Sequence, residues 1–346
     1  MPWLIAGVVL LLSLPLTLAT VLVVLHFYLR VHYLDKLMRI FQEKPIFVIP
    51  RGQPQPDAEE VTLTTAEGLN LHGCYLPTTA PRRKGVILFG LEFGANRWSC
   101  VPYCEHLRAA GYDVFALEWR NQGDSDVQAG YEPLPWVTDR DAADCRLALE
   151  YLKKRPDADP RGVGLFGISK GGSAGLVVMA DDPAIRCAVT DGAFATYSTM
   201  VPYMRVWFAI YNTNYAFHGL LWAWYYGWVA KVGIAQAGRE RGVKFLSVER
   251  AVRRLGRRPW LMIHGADDTY IKATMARDLF DHARAPKQLW VVPGAKHNQA
   301  VSLVADEYKR RVCEFFDRHL AGEENVEPGV SATGGRPHSE AAHSGR

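Results

Sequence analysis

Residues 3–29 read WLIAGVVLLLSLPLTLATVLVVLHFYL, with no Lys, Arg, Asp or Glu. A helix of that length, at about 1.5 Å per residue, exceeds the roughly 30 Å hydrocarbon core of a bilayer, so residues 1–30 are read as a transmembrane anchor. A cleaved signal peptide would need a basic leading segment, a shorter apolar run and a small-residue cleavage site. None of these is seen. Arg30, Lys36 and Arg39 follow the span and no charged side chain precedes it, which by the positive-inside rule places the rest of the chain in the cytoplasm. Residues 31–60 continue as a juxtamembrane amphipathic helix, VHYLDKLMRIFQEKPIF, and a proline-rich linker. With the span acting only as a tether, a chain beginning near Gln55 is expected to be soluble and active.

From Val61 the pattern changes to short apolar runs alternating with helical periodicity. VTLTT, LNLHGCYL, GVILFGL, YDVFALEW, GVGLFGI, RCAVTDG, PWLMIHG and KQLWVVPG predict eight strands. Helical patterns over residues 98–110, 137–154, 170–180, 272–283 and 301–320 separate the later ones. Thr138 and Asp141 have the spacing of a capping box at the start of the second. In the last, Val301, Val304, Tyr308, Val312, Phe315 and His319 share one face. Alternating strands and helices imply a mainly parallel sheet covered on both faces, and the short AEG turn between the first two strands implies an antiparallel edge.

Residues 196–258 interrupt this alternation for longer than an ordinary connection. Twelve aromatic residues lie between Tyr197 and Trp228, and residues 206–230 carry no formal charge. A second membrane crossing would put the strands before and after it on opposite sides of the bilayer, although they belong to one sheet. The segment is therefore read as an apolar helical cap inserted after the sixth strand. The core then comprises residues 61–195 and 259–321, and residues 322–346, nearly devoid of large apolar side chains, are read as a disordered tail.

The net charge of +4 over 346 residues and the absence of a basic run interleaved with aromatics exclude a nucleic-acid partner. The six cysteines are scattered without zinc-site pairs or the density of a disulfide scaffold, which favours a reducing compartment. No phosphate loop, dinucleotide fingerprint or zinc-binding helix motif occurs, so no cofactor and no metal are implied.

One turn carries candidate chemistry. In GVGLFGISKGGSAG, a strand runs into Gly167-Ile168-Ser169-Lys170-Gly171 and then a helix. The glycines let strand and helix approach closely, and the helix N-terminus favours developing negative charge beside Ser169. A serine hydroxyl also needs a base, and the base an orienting acid.

Five motifs in order, ILFGL, EWRNQGDSD, GISKGG, IHGADDTYI and PGAKHNQ, resemble the α/β-hydrolase superfamily over residues 61–320, most nearly its membrane-anchored esterases and thioesterases. The resemblance implies the α/β-hydrolase fold, with Ser169 as nucleophile, His297 as general base and Asp268 as orienting acid. Asp267 and Asp191 stand as alternative acids, and His264 is read as structural. The backbone N–H groups of Lys170 and Leu91 would form the oxyanion hole. Phe89, where the family often has histidine, would deepen an acyl pocket, and Glu92 is read as pointing to solvent. Trp207, Phe208, Trp222, Trp224 and Trp228 are expected to wall that pocket. The expected activity is hydrolysis of a lipid-like ester or thioester through an acyl-enzyme. An amide-cleaving peptidase and an inert scaffold of the same fold are the alternatives.

Overall fold

The predicted strands pair into one eight-stranded sheet in the computed structural model of the chain, which describes residues 2–42, 52–211, 223–284 and 286–322. They are β1 (Glu59–Thr64), β2 (Asn70–Leu76), β3 (Gly85–Gly90), β4 (Tyr112–Leu117), β5 (Val163–Ile168), β6 (Ile185–Asp191), β7 (Trp260–Gly265) and β8 (Lys287–Val292). The order is β1-β2-β4-β3-β5-β6-β7-β8. β2 is antiparallel to both β1 and β4, and every other pairing is parallel. Strands β3, β4, β5 and β7 are buried at every residue, as their unbroken apolar runs require of a parallel sheet covered on both faces.

The described helices are α1 (Pro2–Leu29), α2 (Asp35–Phe41), α3 (Val101–Ala109), α4 (Asp139–Lys154), α5 (Lys170–Asp181), α6 (Tyr197–Tyr211), α7 (Ala223–Glu240), α8 (Val248–Val252), α9 (Ala273–His282) and α10 (Ala305–Phe316). Successive residues of β5 show the two layers: Leu165 packs on Gly175 of α5, whereas Phe166 meets Tyr308 and Phe316 of α10. The capping box that opens α4 is formed, with Thr138 and Asp141 each bonding the other's backbone N–H.

The last helical pattern is not one helix. Val304, at φ −128° and ψ 48°, separates a short turn, Ala300–Leu303, from α10. A π-helical turn over Asp317–Ala321 then shifts the register, so Leu320 enters the core and His319 rests on the Phe315 ring.

Helices α6 and α7 lie between β6 and β7 and form the inserted cap. Met200 and Met204 of α6 and Tyr225, Tyr226, Ala230, Ile234 and Ala237 of α7 share an apolar cluster with Phe41, Leu134 and Phe245. Helix α1 passes through a π-helical turn, Arg30–Leu34, into α2. At Gly233 of α7 a Cβ would lie 2.6 Å from Met38 Sδ and 3.2 Å from a Leu34 methyl. The amphipathic face after α1 is therefore covered by the cap, and α2 is part of the cap's core rather than a detached tether. Among the described residues one helix, Ser13–His32, is long and apolar enough to cross a membrane. The tail from residue 323 onward and linker residues 43–51 lie outside the described residues.

The EWRNQGDSD loop after β4 is held by buried charge. Arg120 Nε lies 3.0 Å from both Asp144 carboxylate oxygens, and Glu118 accepts from Arg97 and from the Asp124 N–H. Arg120→Met leaves Asp144 buried and unpaired, which should lower unfolding free energy by about 3–5 kcal/mol in urea denaturation. Adding Asp144→Leu should recover most of that loss, because a packed apolar pair replaces the ion pair.

Candidate active site

Strand β5 ends at Ile168 and α5 begins at Lys170, leaving Ser169 as the one residue of the turn. Its backbone sits at φ 50° and ψ −120°, a strained conformation for a residue with a side chain. The turn is possible because of close backbone contact: a Cβ on Gly171 would lie 2.2 Å from the Gly90 carbonyl carbon, and one on Gly167 would lie 2.4 Å from Gly172 Cα. The Ser169 N–H donates to the carbonyl of Asp191 at 2.7 Å, tying the turn to the end of β6.

The fold brings three distant residues to this turn. The Ser169 hydroxyl lies 3.0 Å from His297 Nε2, and His297 Nδ1 lies 2.6 Å from Asp268 Oδ2. The other Asp268 oxygen accepts the N–H groups of Tyr270 and Ile271 at 2.8 Å each. A histidine so placed donates through Nδ1 and offers Nε2 as acceptor to the serine hydroxyl. Asp267, one residue earlier, is exposed. His264 is buried, and burial lowers its pKa, so it is neutral and donates through Nε2 to the Ile271 carbonyl at 2.7 Å. It braces the loop that presents Asp268.

Asp191 is fully buried, and its carboxyl accepts from the Tyr308 hydroxyl at 3.1 Å. Burial raises its pKa to about 7. Its neighbour Gly192 is the residue that touches histidine: a Cβ there would lie 3.1 Å from His297 Cε1.

Among the described residues, neither the Leu91 nor the Lys170 N–H has an acceptor. The Leu91 loop is fixed by other atoms, since its carbonyl accepts from Trp119 Nε1 at 3.0 Å.

Glu92 does not point to solvent. It is 4 % exposed and accepts from Asn298 Nδ2 at 2.7 Å, which straps the Leu91 loop to the His297 loop. Burial raises its carboxyl pKa. Asn298 lay within the quoted PGAKHNQ motif, but only the fold showed that it reaches residue 92. Phe89 packs in the core against Phe166 and Tyr103, ring centroids 5.3 and 5.9 Å away, and lines a small enclosed cavity with Trp119 and Cys145. Trp228 turns to the anchor helix, 4.6 Å from the His26 ring, and is 43 % exposed. Trp207 is half-buried on α6, whereas Trp222 and the side chains of Phe208 and Trp224 lie outside the described residues.

A separate apolar cluster of Phe194, Ile271 and Met275, with Trp136 and Tyr203 packed against it, adjoins the Asp268 loop through Ile271, whose N–H donates to Asp268. Sequence reading missed this cluster because its members come from four separate segments. A cleft of about 860 Å³ between the cap and α8 and α9 contains none of the three residues.

Lys170 is 0 % exposed, yet its ammonium has two partners, Asp141 Oδ1 at 2.9 Å and the Leu134 carbonyl at 2.7 Å. Asp141 thus serves both the α4 cap and the first residue of α5.

The model of the family described as "Alpha/beta hydrolase family" matches residues 72–314. The chain is similar to the uncharacterized protein YfhR of Salmonella typhi, 24% identical over 285 residues, 78% of this chain and 85% of that one. It is similar over a shorter stretch to the thiohydrolase aneE of Aspergillus aculeatus, 27% identical over 132 residues, 38% of this chain and 40% of that one. Among solved structures, an esterase of Pyrococcus furiosus superposes with TM-score 0.58 at 21% identity, covering 80% of this chain and 100% of that one.

The folded-state pKa of Asp191 lies above the ordinary aspartate value of 3.8, so the native state binds its proton more tightly than the unfolded chain does. Its contribution to stability is complete below about pH 4 and is lost as pH rises to about 7. Asp191→Asn, which stays neutral, should therefore flatten the fall in melting temperature over that interval; a slope identical to wild type would mean the carboxyl does not titrate there.

Proposed function

The chain belongs to the alpha/beta hydrolase family, and we propose that it is a membrane-anchored serine hydrolase cleaving an ester or thioester with an apolar acyl group. The observation that carries this reading is the hydrogen-bonded line from Ser169 through His297 to Asp268, at 3.0 and 2.6 Å. His297 Nε2 takes the Ser169 proton as the oxygen attacks the carbonyl carbon, and the Asp268 carboxylate steadies the imidazolium. The tetrahedral oxyanion is received by the N–H groups of Leu91 and Lys170, with the positive end of α5 behind it. His297 returns the proton to the leaving alcohol or thiol, and water, activated by the same imidazole, releases the acid.

The acyl group lies against Phe194, Ile271 and Met275, the apolar cluster beside the Asp268 loop. Likeness to a thiohydrolase supports a thioester as one substrate. Anchoring by α1 holds the site near amphiphiles, and Arg30, Lys36 and Arg39 after the span orient the catalytic domain toward the cytoplasm. All six cysteines are free, in keeping with a reducing compartment.

A fluorophosphonate should label wild-type protein at Ser169 and leave Ser169→Ala untouched; equal labelling of both would remove the nucleophile assignment. Asp268→Asn should lower kcat by about 10⁴-fold, as expected when the histidine loses its orienting acid. Asp267→Asn should leave kcat unchanged. Esters graded in chain length, assayed on Met275→Ala, should show a loss in kcat/KM that grows with each methylene by up to about 0.8 kcal/mol.

A further inference from the structure

A continuous line of contacts runs from the helix after the membrane anchor to the nucleophile. Phe41, the last residue of α2, is 1 % exposed, and its ring stacks on Trp136 with centroids 5.0 Å apart and planes 11° off parallel. The same two residues share a polar bond, Trp136 Nε1 donating to the Phe41 carbonyl at 2.7 Å. Phe245 closes the other side of the Phe41 ring, edge-on at 5.1 Å. A charged bridge runs alongside, because Arg241 donates to Gln42 Oε1 at 2.7 Å and pairs with Glu132 at 3.1 Å. Residues 41 and 42 thus grip both ends of the segment 132–136.

That segment touches the nucleophile turn at two points. Leu134, between the gripped ends, supplies the carbonyl that receives the buried Lys170 ammonium at 2.7 Å. Trp136 meets the Phe194 ring edge-on at 5.7 Å. The backbone N–H of Phe194 donates to Ser173 Oγ at 2.9 Å, and that hydroxyl lies 3.3 Å from the Ser169 carbonyl. If the segment shifted, Lys170 would lose one of its two partners in a site without water access, and the cheapest relief would be movement of Lys170 itself. The N–H of Lys170 is a proposed oxyanion donor, so such movement would act on the transition state.

We propose that the juxtamembrane helix is a positioning element of the active site, Phe41 holding Trp136 and the 132–136 segment where the Leu134 carbonyl fixes Lys170 and the first turn of the nucleophile helix. The proposal rests on the serine-hydrolase reading. It also means that the membrane-proximal helix is needed for turnover of substrates that never enter the bilayer.

The test uses the full chain in detergent, a short water-soluble acetate ester, and temperatures well below each variant's melting transition. Phe41→Ala should lower kcat per folded molecule by about 10- to 100-fold, the cost of a small misplacement in a catalytic group. KM should stay within about twofold, because binding of so small an acyl group uses none of these contacts. Phe41→Tyr, which keeps the stacked ring, should restore most of kcat, and Leu18→Ala on the exposed face of α1 should change neither constant. The fluorophosphonate labelling rate of Ser169 should follow kcat across the series. Folded Phe41→Ala with wild-type kcat, or with only KM raised, would overturn the proposal. Should that variant not fold, Trp136→Phe decides: it keeps an aromatic ring at that position but loses the bond to the Phe41 carbonyl, and an unchanged kcat there would overturn the proposal equally. Wild-type protein that takes no probe would overturn the serine reading, and this proposal with it.

Discussion

The turn at Ser169 depends on how closely helix α5 can approach the sheet. With a positive φ at a serine, the chain must reverse from strand to helix within one residue, and only backbone atoms can occupy the space inside the reversal. Gly90, Gly167, Gly171 and Gly172 supply that space, each within a distance at which a Cβ would collide. Because Gly90 belongs to β3 and Gly167 to β5, the turn also fixes the neighbouring strand ends. The Leu91 loop follows directly from β3, so the same contact sets the separation between Ser169 and the Leu91 N–H.

Around this turn the protein buries polar groups and satisfies them in a definite hierarchy. Asp268 has four approaches, from His297, His264 and two backbone N–H groups, which leaves it well anchored as an acceptor. Asp191 and Glu92 have one donor each and are otherwise enclosed, and burial raises the pKa of both. A carboxyl facing a single donor in an apolar site holds its proton more firmly, because burial penalises the charged form.

Cap, α2 and core are joined by aromatic packing rather than by the covalent chain alone. Phe41, Trp136, Phe245 and Phe194 come from four segments, and their rings meet edge-on or stacked in the favoured geometries of such pairs. The apolar residues that follow the anchor cover the cap, so the inserted segment gains burial that the sheet alone does not supply. Trp228, directed to His26, belongs to this junction.

The periodicity of the chain determined the eight strands, the insertion between β6 and β7, the capping box at Thr138 and the apolar span at the N-terminus, since each is set by residues near one another in sequence. The close-packed turn at Ser169 was legible for the same reason: its glycines are local. Asp268 and His297 were found through ordered motifs, but choosing Asp268 over Asp267 and Asp191 required knowing which carboxylate faces the imidazole. Glu92 was misread because its partner lies 206 residues away in Asn298. Trp228 packs against His26 rather than where its aromatic run suggested, because aromatic character says nothing about which apolar surface a ring will join. The break at Val304, the Lys170 bridge to Leu134 and the seat of Phe41 on Trp136 were decided only by tertiary structure, because each depends on two segments meeting whose separation in sequence carries no periodic signal.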